Sequence, residues 1–233
     1  MNLRHAPLPA GRVADPTTPA AVDLYWLPLG AGDHVVKYAG RLYETLVAAR
    51  NRRERCDLYH AALEVHLHGS RYVVESAPAW DRAAPERGVV AQGPVLLALL
   101  GRSKWFRYEV RRWQGGVIPD VAAAVDGPRR IATDPDRAGR ILELAPHFPT
   151  HTWGRDELHA GDMWNSNSLI AWLLAGSGHD LRAIRPPDRG RAPGWAAGLL
   201  AVEPPGTVPA MRPPQGDPST PLPPPRDPSR HRC

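Results

Sequence analysis

Cysteine is scarce in this chain of 233 residues, which contains Cys56 and Cys233 alone. Two cysteines cannot build the disulfide framework of a small secreted scaffold or a metal-binding knuckle. The most apolar run, residues 88–101, is much shorter than the roughly 20 residues that span a bilayer, and Gly93-Pro94 interrupts it. The N-terminus lacks the basic, apolar and small-residue order of a secretory signal. We therefore expect a cytoplasmic protein without a transmembrane segment.

The excess of basic over acidic residues is mild. Lys and Arg together number 29 against 24 for Asp and Glu, and the basic residues are spread along the chain. A nucleic-acid-binding protein usually carries a basic face or stripe, so we expect no nucleic-acid partner. His66 and His68 lie on one side of an alternating run, but two ligands without a third are weak evidence for a metal site. No cofactor is indicated.

Proline divides the chain into three parts. Residues 1–20 are rich in Ala, Pro and Thr and predict a flexible arm, and residues 21–202 form the predicted folded domain. Residues 203–233 contain eleven prolines, a density that neither helix nor sheet tolerates, and so predict a disordered tail. Within the tail, PLPPPR (221–226) fits a polyproline ligand that would recruit a protein partner. Composition alone favours a tail without a partner.

Alternating apolar residues predict β-strands in the first half of the domain. LYHAALEVHL (58–67) and SRYVVES (70–76) alternate on either side of His68-Gly69, which is typical of a hairpin. SKWFRYEVRRW (103–113) alternates in the same way and predicts a strand with one solvated face. Three arginines belong to that strand, and we interpret them as solvated or as attracting an anionic substrate: Arg107, Arg111 and Arg112.

Helical spacing appears before and after these strands. Apolar residues predict a helix over Val35–Val47, and an Asp134 cap with Pro135 at the first helical position predicts a second helix that closes at Pro146. The third predicted helix covers residues 166–175. Helices together with an antiparallel sheet indicate an α+β domain.

The third helix combines a polar start with an apolar body. Residues 169–174 are apolar on every side, so the helix must be buried all round, and we expect Trp164 and Trp172 to pack in the core. Its start reads Asn165-Ser166-Asn167-Ser168, and Asn and Ser are preferred caps. Capping needs one such residue, and the N-terminus of a helix also stabilises an anion or the conjugate base of a nucleophile. Ser166 is therefore a candidate nucleophile, with capping alone as the alternative.

A serine nucleophile needs a base, and that base needs an orienting group. His60 opens the first hairpin strand, and residues 60, 62 and 64 share a face with 73, 75 and 77. Glu75 would then lie diagonally across from His60, close enough to orient an imidazole. The alternatives are an ordinary strand histidine and an exposed strand carboxylate.

These residues resemble the circularly permuted papain-like families, which include the lecithin:retinol acyltransferase-like proteins and the permuted deubiquitinase-like peptidases. In those families a His begins a strand, a polar residue follows on the next strand, and an Asn-Cys pair opens a buried helix. The resemblance implies His60 as base, Glu75 as orienting residue and Asn165-Ser166 in place of Asn-Cys, with Leu169 as the apolar follower. The chain is also similar to an uncharacterised bacterial family with an Asn-Ser-Asn motif.

The resemblance implies a permuted papain-like α+β domain with an antiparallel sheet packed on the buried helix. One expectation is a hydrolase or acyltransferase that acts on an amide, thioester or ester carbonyl through Ser166 and His60, with Asn165 or a first-turn N–H receiving the oxyanion. Serine in place of the family's cysteine supports the alternative of an inactive descendant that binds a peptide, lipid or protein. A third hypothesis is a scaffold whose tail recruits partners.

Overall fold

The computed structural model describes residues 19–29, 44–45, 48–49, 52, 54–79, 88–97, 101, 106–187 and 190–202. The Pro-rich tail and most of the N-terminal arm lie outside the described residues, so the two predicted domain boundaries stay predictions. Of the helix predicted over Val35–Val47, the structure describes Glu44 and Thr45, and both are helical.

In the part of the chain that the structure describes, seven strands form one sheet. The strands are β1 (Ala21–Pro28), β2 (Asp57–Leu67), β3 (Ser70–Pro78), β4 (Val89–Pro94), β5 (Arg107–Gln114), β6 (Arg129–Ala132) and β7 (Gly190–Arg191). Six of them are ordered β4-β5-β3-β2-β1-β6 with antiparallel pairing, and β7 joins β2 in parallel.

In the described residues after β5, three α-helices accompany the sheet: α1 (Pro135–Leu144), α2 (Ser166–Gly176) and α3 (Trp195–Leu200). Asp134 caps α1 by accepting a hydrogen bond from the Asp136 N–H, as its place before a proline predicted. The predicted α+β class is confirmed, and the finer prediction of a permuted papain-like domain stays a prediction. Within the described residues, none of the helices is long and apolar enough to cross a membrane.

The predicted hairpin is β2 followed by β3. Leu67 pairs with Ser70 across a two-residue turn in which His68 and Gly69 have φ values of 48° and 71°. Positive φ at both turn residues matches the twist of the flanking strands. Glu64 pairs with Val73, so the expected register, in which His60 and Glu75 share a face, is confirmed.

Both faces of the sheet carry buried side chains. Ala61, Leu63 and Val65 of β2 belong to the main core, which also contains the apolar residues of α2. The opposite face holds a smaller cluster that includes Ala62 and Ile118. Because that second face is covered, the predicted solvated arginine face on β5 is wrong for Arg111, which is 2% exposed.

Strand β1, which lies inside the sheet, has no equivalent among the elements predicted from the sequence. It pairs with β2 on one side and β6 on the other, and seven of its eight residues are buried. A short continuous apolar run between turn residues is the signature of a strand buried on both faces. The run AVDLYWL between Pro19 and Pro28 carries that signal, with Asp23 as its one charged residue.

Candidate active site

The first turn of α2 meets one edge of β2. Along this edge β7 pairs with Asp57 and Leu58, and β3 pairs with β2 from Leu63 onward. The start of α2 fills the interval between these two partners. As a result the Oγ of Ser166 lies 3.2 Å from Nδ1 of His60, although the two residues are 106 positions apart in the chain.

In this interval the Asn167 side chain makes the hydrogen bonds to β2 that a neighbouring strand would otherwise make. Its Oδ1 accepts a hydrogen bond from the Ala61 N–H at 2.8 Å, and its Nδ2 donates to the Tyr59 carbonyl at 2.9 Å. The same Nδ2 donates to the Pro193 carbonyl at 2.8 Å. The side chain is 2% exposed, and its two donors and its acceptor are all used. The two bonds to β2 lie on either side of residue 60.

Asn165 and Ser168 form a capping box. Asn165 Oδ1 accepts from the Asn167 N–H at 2.9 Å, and Ser168 Oγ accepts from the Asn165 N–H at 3.0 Å. The Asn165 Nδ2 donates to the Pro193 carbonyl and the Ser168 hydroxyl to the Gly194 carbonyl, both at 2.8 Å. The capping interpretation is therefore confirmed for these two residues, and the side-chain amide of Asn165 is already engaged.

Ser166 has no part in the cap. It is 7% exposed and occupies the first helical position, and its hydroxyl contacts the His60 ring. Among the described residues, its backbone N–H has no hydrogen-bond acceptor. Such an N–H at the start of a helix is available to an anion, and the helix dipole favours negative charge there.

The His60 ring is neutral near pH 7. Burial lowers its pKa from 6.5 to about 4, and the charge of Asp120 has a smaller effect in the opposite direction. A neutral imidazole can accept the hydroxyl proton of Ser166, which a protonated one cannot. Asp120 lies in the loop after β5 with φ 56°, in a left-handed conformation before a short 3-10 helix. Sequence reasoning missed Asp120, because no local pattern connects that loop with β2.

Glu75 lies on the expected face but pairs with another residue. Its Oε1 accepts a hydrogen bond from Arg111 at 3.2 Å, and both side chains are almost fully buried. Arg111 is its direct cross-strand neighbour on β5, whereas His60 lies diagonally across on β2. Within the described part of the chain, no hydrogen bond joins Glu75 to His60. The predicted orienting role therefore has no contact that supports it.

Comparison with known proteins identifies no relative of this chain. No family model, curated protein or solved structure matches the chain. The resemblance to the permuted papain-like families thus stays an expectation.

The two histidines considered as metal ligands do not gather further ligands. His66 Nε2 lies 2.8 Å from Glu64 Oε1, and the other oxygen of that carboxylate accepts from Arg71 at 2.8 Å. His68 occupies the hairpin turn. In the described ranges, no three His, Cys, Asp or Glu side chains are grouped so that they could hold a metal ion.

A second serine–histidine pair lies at the other end of α2. Ser177 Oγ is 3.0 Å from His179 Nδ1, and Ser177 is 7% exposed, the same as Ser166. The Ser177 hydroxyl also donates to the Leu173 carbonyl at 2.6 Å, so its proton is directed at the helix rather than at the ring. This pair lies at the negative end of the helix dipole, where an alkoxide is disfavoured.

Proposed function

We propose that the protein is a hydrolase or acyltransferase that uses Ser166 as nucleophile and His60 as general base on an amide, thioester or ester carbonyl. The observation that carries the proposal is the 3.2 Å contact between Ser166 Oγ and His60 Nδ1 at the N-terminus of a buried helix. Nucleophilic serines are activated by a base at about this distance.

The reaction proceeds in two acyl transfers. Ser166 Oγ forms a bond to the carbonyl carbon while its proton passes to His60 Nδ1, and the carbonyl π electrons move to oxygen. When the tetrahedral intermediate collapses, the bond to the leaving amine, thiol or alcohol breaks, and His60 returns the proton to that group. Water or a second acceptor then attacks the acyl-serine with His60 again as base. The acyl group leaves on the acceptor, and Ser166 regains its proton.

The oxyanion is received by the Ser166 backbone N–H. This group has no acceptor among the described residues and lies where the helix dipole is positive. The side chain of Asn165, the other expected donor, already gives a hydrogen bond to the Pro193 carbonyl and accepts one from the Asn167 N–H. Its engagement in the cap favours the backbone donor over the side chain.

We assign the domain, as part of this proposal, to the permuted papain-like superfamily. The support is the chain order, in which a histidine on a strand precedes a buried helix that begins with the nucleophile, together with the contact between the two. The departure from the family pattern is the serine. An alcohol is a poorer nucleophile than a thiol at neutral pH, so it depends more strongly on the base and the helix dipole.

A second candidate function is a binding module that retains the fold but has no catalytic activity. The observation that favours it is the pairing of Glu75 with Arg111, which leaves the His60 ring without a hydrogen-bonded carboxylate in the described part of the chain. In other enzymes with a catalytic triad, removing the acid that orients the histidine greatly lowers the reaction rate. Such a module would bind a peptide, a lipid or a partner protein.

A fluorophosphonate probe distinguishes the two functions. The probe phosphonylates an activated serine, so the wild-type protein is expected to be labelled and Ser166→Ala to be unlabelled. Ser177→Ala is the matched control, because Ser177 is equally buried and also contacts a histidine. Labelling that persists in Ser166→Ala would refute the proposal. No labelling of the wild type, with rapid alkylation of Ser166→Cys by iodoacetamide, would favour the binding module.

A further inference from the structure

Asn167 joins three separate segments at the candidate site. Its backbone belongs to the start of α2, and its side chain bonds to β2 and to the loop between β7 and α3. We infer that Asn167 is the positioning residue that fixes His60 against Ser166. This inference rests on the proposed function, since positioning matters for catalysis if the pair is catalytic.

The geometry of the two bonds to β2 supports this role. The Tyr59 carbonyl and the Ala61 N–H are the backbone groups immediately before and after His60, and Asn167 bonds to both. Asn167 itself is the residue after Ser166. The backbones that carry the base and the nucleophile are therefore linked through a single side chain, within one residue of each.

Asparagine fits this position for a chemical reason. Tyr59 and Pro193 offer carbonyl oxygens, which need donors, and Ala61 offers an N–H, which needs an acceptor. A primary amide supplies two donors and an acceptor. Aspartate would direct a carboxylate oxygen at both carbonyls, and leucine would leave the Tyr59 carbonyl and the Ala61 N–H without this partner. Glutamine would add a methylene to a side chain that is 2% exposed.

The loop that contains Pro193 packs closely against the first turn of α2. Its carbonyl accepts from both Asn165 and Asn167, at 2.8 Å each. Gly194 follows with φ 93°, and a Cβ on it would lie 2.1 Å from Asn165 Oδ1. The close approach of this loop holds the Asn167 amide in the orientation that the β2 bonds require.

The test compares Asn167→Asp and Asn167→Ala with Ser168→Ala. Ser168 belongs to the same helical turn, is fully buried and hydrogen-bonds to the Asn165 N–H and the Gly194 carbonyl, but none of its hydrogen bonds within the described residues reaches β2. All three variants lose buried hydrogen bonds and are expected to unfold at lower temperature. Two readouts separate positioning from stability: the rate of fluorophosphonate labelling per folded molecule, and the titration of the His60 ring followed by NMR.

In the Asn167 variants, labelling is expected to slow by about a hundredfold, the cost of misplacing a catalytic group by roughly 1 Å. The His60 titration midpoint is expected to rise from about 4 toward 6.5 as the ring becomes solvated. Ser168→Ala should change the labelling rate by less than about threefold and the His60 titration midpoint by less than about 0.3 pH units. Unchanged labelling and titration in folded Asn167 variants, or equal changes in Ser168→Ala, would overturn the inference.

Two further features keep the outcome interpretable. If the wild type is not labelled, the proposed function fails, but the His60 titration still reports whether Asn167 positions the ring. If the Asn167 variants do not fold, hydrogen exchange at the Ala61 N–H of the wild type decides. Protection of that amide equal to the β1–β2 core supports the inference, and exchange at the rate of an open strand edge overturns it.

Discussion

The hydroxyl of Ser166 lies 3.2 Å from Nδ1 of His60, at the positive end of a helix whose negative end carries Ser177 and His179 at 3.0 Å. Two serine–histidine pairs of equal serine burial thus differ in their place along the helix dipole. Within the described residues, His60 is the one hydrogen-bond partner of the Ser166 hydroxyl, whereas the Ser177 hydroxyl donates its proton to a backbone carbonyl. We therefore expect the fluorophosphonate probe to react with Ser166 and not with Ser177.

The first prediction concerns the pH dependence of labelling. Because burial lowers the pKa of His60 to about 4, the neutral ring that serves as base predominates above that pH. The rate of fluorophosphonate labelling should therefore rise with pH through about 4 and then stay level to about pH 8. Stopped-time labelling across this range, corrected for the folded fraction, measures the profile. An inflection near 6.5 instead would mean that the base is a solvated histidine.

The second prediction concerns acid stability. His60 takes up a proton at about pH 6.5 when the chain is unfolded but resists protonation to about pH 4 when it is folded. The unfolded state thus binds more protons between these values, so the stabilising effect of the neutral ring is complete above 6.5 and is lost as the pH falls toward 4. When the pH is lowered from 7.5 to 4.5, the free energy of unfolding of the wild type should fall by about 2 kcal/mol more than that of His60→Gln.

Urea denaturation at the two pH values measures that difference. His179 also has a lowered pKa, from burial and then the charge of Arg137, but it is present in both proteins and its contribution cancels. Equal losses in wild type and His60→Gln would show that the ring is solvated and that the site is more open than described.

The hairpin and the two longer helices could be predicted because their signals are local. The turn at His68-Gly69, the alternation of β2 and the Asp134–Pro135 start of α1 each depend on residues close together in the sequence. The pairing of His60 with Ser166 is expected from the polar start of the helix, from the histidine that opens the hairpin and from the family resemblance, and the contact is present in the structure.

The remaining features of the site depend on strand order, which local patterns do not encode. Glu75 pairs with Arg111 because β5, rather than a loop or solvent, lies beside β3. Asn167 matters because β3 and β7 leave an interval on the edge of β2. From the sequence, Asn167 was one of four polar residues that could equally have been caps.

The third prediction tests the role of Glu75. Glu75→Gln weakens a buried ion pair with Arg111 and should lower the free energy of unfolding by about 3 kcal/mol. The labelling rate per folded molecule should change less than about threefold, because Glu75 makes no hydrogen bond to His60 within the described residues. Glu109→Gln, which removes a more exposed partner of the same arginine, is the control and should cost less. A stable Glu75→Gln protein that labels slowly would restore the orienting role.

The fourth prediction concerns the packing of α3 on α2. A Cβ at Gly198 would lie 2.2 Å from the backbone oxygen of Ser168, so Gly198→Ala must push the helices apart. We expect a loss of about 2 kcal/mol or more, measured by thermal or urea unfolding. Gly139→Ala in α1 is the matched control, since its nearest neighbour, Leu67, would be 3.7 Å away. That variant should gain up to about 1 kcal/mol from helix propensity. Equal stability of both variants would contradict the close approach.

The position of the phosphonyl adduct on the wild-type chain tests the central claim most directly. After brief exposure of the folded protein to a fluorophosphonate, peptide mapping by mass spectrometry locates the modified residue. We predict a single adduct on Ser166 and unmodified Ser177. An adduct on another serine, or none on Ser166 in protein shown to be folded, would contradict activation of Ser166 by His60 at the start of α2.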